Sequence, residues 1–278
     1  MLKSYLVTVD GSEYSAAAVG YAIALAKRAA ARITLLSVVD IVSLEGPFLA
    51  DLSGIVGVVP YLDLQQQVRD TLVEKARLIL ETHAATVRGA GLECATRHET
   101  GVVSRVICEA AATHDAIVVG RRGEHATWSG FLLGSTVEEV VRGCAKPVLV
   151  TPRQERPLTR ILVAYDGSRT ANRALSLAAT LAAGLDLPLV AVCVSSDERE
   201  GRTILGEAEN YLEPHRLRVK AVLESGSPVE GILLVAQRES CDLIIMGAFG
   251  HSRMRELFVG STTDGILRAA ELPVLLYR

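Results

Sequence analysis

Two stretches of the chain place glycines where a phosphate group would be held. Gly247-Ala248-Phe249-Gly250 is followed, after nine further residues, by Gly260-Ser261-Thr262. The apolar run Leu243-Ile244-Ile245-Met246 comes before it and a helical-looking segment after it, so these glycines stand at a strand-to-helix crossing. Glycine lets the backbone come close to a ligand, and N–H groups at a helix start, backed by the helix dipole, favour an anion. Taken alone, such a pair of glycines reads better as ordinary turns. The pattern recurs, however: Gly120-Arg121-Arg122-Gly123, then ten residues, then Gly134-Ser135-Thr136, again behind an apolar run, Ala116-Ile117-Val118-Val119.

The elements that must position these loops also come twice. Tyr5-Leu6-Val7-Thr8-Val9 is a strand ending at Asp10-Gly11-Ser12, a sharp turn with a plausible N-cap. An alanine-rich helix to about Arg32 follows, with Ala16, Val19, Ile23 and Ala26 spaced for one buried face. Ile33–Val39 is apolar on both faces, as a parallel strand covered by helices requires. Residues 41–60 form an irregular, glycine- and proline-bearing insertion, which reads as a lid or a contact surface. Residues 61–88 read as a long amphipathic helix, with Leu64, Val68, Leu72, Ala76, Ile79 and Leu80 on its apolar side. A strand near Glu93–His98, Gly101, a helix from about Val103 to Thr113, the first glycine loop, a helix over Ser135–Gly143 and the strand Pro147–Thr151 complete the first copy.

After the polar, proline-bounded segment Pro152–Pro157 the order restarts. Ile161-Leu162-Val163-Ala164-Tyr165-Asp166-Gly167-Ser168 repeats the opening strand and turn, and Pro273–Tyr277 repeats Pro147–Thr151. A repeat of this length is a duplicated domain and not a solenoid. The stretch from Asp40 to Gly101 is about twice as long as its counterpart from Asp197 to Gly226, so the second copy lacks most of the insertion.

Composition excludes several classes of function. The chain has 278 residues, 49% of them hydrophobic, enough to bury a substantial core. A net charge of −3 and a pI near 6.1 give no electrostatic footprint for nucleic acid. The five cysteines, Cys94, Cys108, Cys144, Cys193 and Cys241, are odd in number and widely spaced, and read as reduced core residues. The stretch before the first strand does not read as a basic region followed by an apolar core and cleavage site, and the greasy region 35–62 is interrupted by Asp40, Glu45, Asp51 and two prolines. The expectation is a soluble cytoplasmic protein with neither nucleic acid nor membrane as a partner.

Each copy resembles the universal stress protein (UspA-like) domain: a strand ending in Asp, an apolar second strand, Gly-x2-Gly-x9-Gly-Ser/Thr, and a closing Pro-Val-Leu strand. The resemblance covers nearly the whole chain. Residues 247–262 keep the family spacing unaltered, whereas residues 120–136 carry one extra residue, Glu124 if His125 is matched to His251.

What the resemblance implies is an α/β fold of two tandem five-stranded parallel-sheet domains, adenine nucleotide alpha hydrolase-like and Rossmann-like. The domains would be residues 1–152 and 159–278, joined by a linker at 153–158. The two would form an internal pseudo-dimer by pairing Pro147–Thr151 with Pro273–Tyr277. In the ATP-binding branch of the family the cofactor is ATP, with Mg accompanying the phosphates. Carried over by position, Asp10 and Asp166 meet the adenosine side, the main chain at Val9 and Tyr165 lines the base, and Val38 and Val194 contact adenine through the backbone. Gly120, Gly123, Gly134, Ser135 and Thr136 in one copy, and Gly247, Gly250, Gly260, Ser261 and Thr262 in the other, hold ribose and phosphates. All of these residues fall at the carboxyl ends of parallel strands, where such sheets bind ligands. By analogy two tandem chains would assemble into a four-domain homo-oligomer, with a protein partner that the sequence does not name.

Each element has a rival reading. Asp10 and Asp166 serve equally as helix caps, and Ser135-Thr136 and Ser261-Thr262 as N-caps without a ligand. Arg121 and Arg122, opposite Ala248 and Phe249 in the second loop, read as solvated arginines; His125 and His251 as exposed loop histidines; Trp128 as a packing residue. Other nucleotide machinery is absent: there is no Walker lysine loop, no dinucleotide Gly-x-Gly-x-x-Gly turn and no Gly-x-Ser-x-Gly elbow. Phosphoryl transfer needs cationic clamps, a metal held by acids and a positioned base, and no such set is present. The sequence therefore favours a nucleotide-binding regulatory protein over a slow ATPase or nucleotide-transferring enzyme.

Overall fold

In the first half the chain runs β1 (Ser4–Thr8), α1 (Glu13–Ala29), β2 (Arg32–Asp40), α2 (Val58–Gly89), β3 (Cys94–Gly101), α3 (Val103–Ala111), β4 (Ala116–Gly120), α4 (Ser135–Gly143) and β5 (Val148–Thr151). The second half runs β6 (Ile161–Ala164), α5 (Arg169–Leu185), β7 (Leu189–Val194), α6 (Glu198–Leu212), a single 3-10 turn, β8 (Val219–Glu224), α7 (Pro228–Arg238), β9 (Leu243–Gly247), α8 (Ser261–Ala269) and β10 (Val274–Tyr277). These elements come from a computed structural model that describes residues 1–40, 58–123, 134–248 and 260–278, with the side chains of 58–65 excepted.

All ten strands form one sheet in the order β3-β2-β1-β4-β5-β10-β9-β6-β7-β8. Every pairing among them is parallel except β5 with β10, which run antiparallel with Val150 opposite Val274, Leu149 opposite Leu275 and Val148 opposite Leu276. The expected pairing of the two last strands is thus present, and it makes two five-stranded halves into one continuous sheet.

The alternation of a strand's side chains sorts the core into two layers. Tyr5, Val7, Ile33 and Leu35 of the first half, with Ile161, Val163 and Leu189 of the second, face the layer under α1, α2, α5 and α6. Leu6, Leu36, Ile117 and Val119, with Leu162, Val190, Ile244 and Met246, face the layer under α3, α4, α7 and α8. Both layers cross the seam, so the halves share their apolar core. The seam is reinforced where Arg28 Nη1 donates to the Leu185 carbonyl at 2.6 Å. The segment joining β5 to β6 lies along α1: the Tyr21 hydroxyl accepts from the Arg156 N–H at 3.0 Å and donates to the Gln154 carbonyl at 3.4 Å.

Several local expectations change. α1 stops at Ala29, where Ala30 turns left-handed (φ 48), three residues short of Arg32. Its buried face is Ala18, Val19, Tyr21, Ala22, Leu25 and Ala26, with Ala16 exposed and Ile23 half-buried, because the helix is packed against the sheet, α2 and α5 together. α2 starts at Val58, so the last three residues of the expected insertion belong to its first turn, and residues 41–57 lie outside the described residues.

The cysteine reading is corrected as well. Cys108 of α3 and Cys144, the C-cap of α4, form a disulfide with their Cα atoms 5.1 Å apart, whereas Cys94, Cys193 and Cys241 are free thiols. α3 and α4 lie side by side on one face of the sheet, which brings together two residues 36 positions apart.

Candidate functional site

At the carboxyl end of β1 the backbone turns through Gly11, at a positive φ of 83 that favours glycine, and Gly167 repeats this at 75 after β6. Asp10 Oδ1 accepts from the Ser12 N–H at 3.0 Å and from the Ser12 hydroxyl at 2.6 Å. Ser12 Oγ in turn accepts from the Ser15 N–H at 3.2 Å, so the serine is the cap of α1 and the aspartate braces the turn before it. In the second half Asp166 Oδ1 accepts from the Ser168 N–H at 3.0 Å and Ser168 caps α5 through the Ala171 N–H at 3.2 Å. The reading of Asp10 and Asp166 as caps is thereby overturned. The amides of Val9 and Tyr165 are bonded to Leu36 and Val192 on the neighbouring strands, each at 2.9 Å. Val38 and Val194 are half-buried near the ends of β2 and β7.

The glycine loops meet these turns. A Cβ on Gly120 would lie 2.7 Å from Tyr14 Cβ, and one on Gly247 would lie 2.6 Å from Thr170 Oγ1 and 2.9 Å from the Ala171 nitrogen. These two glycines therefore admit the first turn of α1 or α5 against the strand end, a packing role that holds with or without a ligand. A Cβ on Gly123 would lie 2.9 Å from Asp10 Oδ2, which puts the first loop directly beside the aspartate. Gly250 lies outside the described residues, as do Glu124, His125, Trp128, Phe249 and His251.

Gly134 and Gly260 are the N-caps of α4 and α8, and neither cap has a side-chain hydrogen bond. Ser135-Thr136 and Ser261-Thr262 are consequently the first helical residues and not caps, contrary to that rival reading. A helix start without a side-chain cap leaves its leading amides to water or to a ligand. Thr263, missed in the sequence, anchors α8 by donating to the Ala248 carbonyl at 3.0 Å; the residue three beyond Gly134 in the first half is Val137.

Two further side chains border the sites: His83, which the sequence did not single out, and Tyr165, expected there only for its main chain. His83 of α2 is half-buried; burial holds its pKa below the usual histidine range, with the Asp10 carboxylate acting in the opposite direction. Tyr165 is buried and its hydroxyl donates to Asn172 Oδ1 at 2.7 Å; burial first, and then the Glu207 carboxylate, push its pKa up. Arg121 departs from the solvated reading: it is half-buried, and its Nη2 donates to the Ala270 carbonyl in the other half. Among the described residues no cluster of three or more His, Cys, Asp or Glu is placed to hold a metal.

Comparison with known proteins agrees with this fold. The family model described as the universal stress protein family matches twice, over residues 1–152 and 157–278. A universal stress protein of Synechocystis is 34% identical over 287 residues, covering 100% of both chains. One of Mycolicibacterium smegmatis is 26% identical over 299 residues, covering 98% of this chain and 96% of its own. Among solved structures, a universal stress protein of Archaeoglobus fulgidus superposes with a TM-score of 0.77 at 24% identity, covering 99% of this chain and 96% of that one. The chain belongs to the universal stress protein family, as a tandem of two such domains.

Proposed function

We propose that this protein is a nucleotide-binding regulatory factor of the stress response that holds ATP in each half without turning it over. The observation that carries the reading is the convergence of a braced Asp-Gly-Ser turn and a glycine-capped helix at the same strand ends, twice in one chain. Asp10, Val9 and Val38, with Asp166, Tyr165 and Val194, would take the adenosine. Gly120, Gly123, Gly134, Ser135 and Thr136, with Gly247, Gly250, Gly260, Ser261 and Thr262, would take ribose and phosphates. The residues present fit such a ligand, since a phosphate supplies the acceptor that the leading amides of α4 and α8 lack from any cap side chain. A magnesium ion would be held chiefly by the phosphates themselves.

Occupancy would order the glycine loops and alter the binding of a protein partner. A cytoplasmic location is part of the same proposal; among the described residues no helix is long and apolar enough to cross a membrane. The last strand of each half is already paired within the chain, so a homodimer of tandem chains would use another surface. Denaturing the purified protein and resolving the supernatant by anion exchange tests the reading. Released adenine nucleotide, or thermal stabilisation by added ATP, is expected. Absence of both would sink it, and steady release of ADP from added ATP would convert it to a slow ATPase.

A further inference from the structure

Arg121 lies between the two glycines of the first loop and makes three connections. Its N–H donates to the Thr151 carbonyl of β5 at 2.9 Å, and its carbonyl accepts from the N–H of Gly134, the N-cap of α4, at 3.4 Å. Its side chain leaves the first half: Nη2 donates to the carbonyl of Ala270, the C-cap of α8. One residue therefore touches the start of one candidate phosphate helix and the end of the other. A cation at a helix C-terminus also interacts favourably with the negative end of the dipole there.

A reciprocal connection runs the other way. Ala248, the counterpart of Arg121, donates its N–H to the Tyr277 carbonyl at 2.9 Å, and the next residue, Arg278, donates from Nη1 to the Arg142 carbonyl in the last turn of α4 at 2.7 Å.

Packing alone does not account for an arginine at position 121. Its Nε is buried without a hydrogen-bond partner among the described residues. Burial pushes its pKa down, with Tyr14 and Glu271 opposing and Arg122 adding to the effect. A half-buried cation with a buried, unsatisfied nitrogen costs stability that an apolar side chain of similar size would not. The second half fills the equivalent place with Ala248, which is 1% exposed.

We propose that Arg121 is a positioning residue that couples the two nucleotide sites: ligand in the first loop fixes the 120–123 backbone, and Arg121 then holds the end of α8 so that Ser261 and Thr262 meet phosphate in register. This rests on the nucleotide reading above and gives it a sign, in that occupancy of the first site raises affinity at the second and, reciprocally, occupancy of the second raises affinity at the first. The two states of the element are Arg121 bonded to Ala270 and Arg121 released from it, and a coupling of about fivefold or more is the ordinary range for such a link.

The test uses the full chain and ATP titrated by calorimetry. Gly134→Asp closes the first site. In the wild-type background it should weaken binding at the second site by about fivefold or more, whereas with Arg121→Met it should leave that site unchanged. Arg121→Lys, which keeps a donor of similar reach, should restore part of the dependence. Equal effects of Gly134→Asp with Arg121 and with Met overturn the proposal. A second measurement needs no ligand and also reports whether the variant is folded. Hydrogen exchange of the amides in 261–269 should quicken about tenfold in Arg121→Met, while those in 135–143 stay as they were. Unaltered exchange in α8 overturns the proposal whether or not nucleotide binds. A wild type that binds no ATP, together with faster exchange in α8 of the variant, overturns the nucleotide reading and leaves the grip of Arg121 on α8 standing.

Discussion

Gly120 and Tyr14 are in contact where the end of β4 meets the first turn of α1: a Cβ on the glycine would lie 2.7 Å from Tyr14 Cβ and 3.0 Å from its carbonyl carbon. Those atoms belong to a helix turn and cannot withdraw as a side-chain tip would. Gly120→Ala is therefore expected to destabilise the chain by about 1–3 kcal/mol, as overpacked core positions do. Gly206, inside α6, has open space for 4 Å around the point a Cβ would occupy, and its substitution by Ala should gain about 0.5–1 kcal/mol. Urea unfolding of the two variants checks both signs.

The Cys108–Cys144 bridge closes a loop of 36 residues that contains the first glycine loop and α4. By chain entropy such a loop is worth about 4 kcal/mol. Reduction, or Cys108→Ser, should lower the urea midpoint accordingly. Alkylation of the unfolded, unreduced chain should label three thiols, and five after reduction.

Tyr21 holds the segment between the halves through the Arg156 N–H and the Gln154 carbonyl. Tyr21→Phe keeps the packing and removes both bonds, at a cost of about 1–2 kcal/mol. Faster tryptic cleavage after Arg153 is the expected readout, with the strands on either side still protected.

His83 carries a pH dependence whose sign follows from its depressed pKa. The unfolded chain binds the proton at a higher pH than the folded one, so stability is full above the unfolded value of about 6.5 and falls as pH drops through it. Melting temperatures should thus decline between about pH 7.5 and about pH 5.5, and His83→Gln should flatten part of that decline.

The duplication, the order of elements and the braced Asp-Gly-Ser turns were legible because each rests on local chemistry: strand periodicity, glycine at positive φ, a serine cap. The glycine spacing also marked the correct strand ends. What escaped depends on elements far apart in sequence. Cys108 and Cys144 carry no local signal of pairing, since only the side-by-side packing of α3 and α4 brings them together. Arg121 reads as a surface residue until β5 and β10 are paired, because its acceptor is 149 positions away. Ser135 and Ser261 resemble caps in sequence, yet the glycine before each takes the capping geometry.

The antiparallel meeting of Leu149 with Leu275 has an evolutionary reach beyond holding two halves together. In a homodimer every substitution near the axis appears on both sides, so an arginine at the seam would come as two facing cations. Covalent fusion lifts that obligation, and the association no longer depends on concentration. One half can then take a disulfide and a crossing arginine while the other keeps Leu233, Ala248 and Ala270 in the matching places. The single chain is in this sense a symmetric architecture licensed to become asymmetric, with two candidate sites in duplicated halves free to acquire different duties.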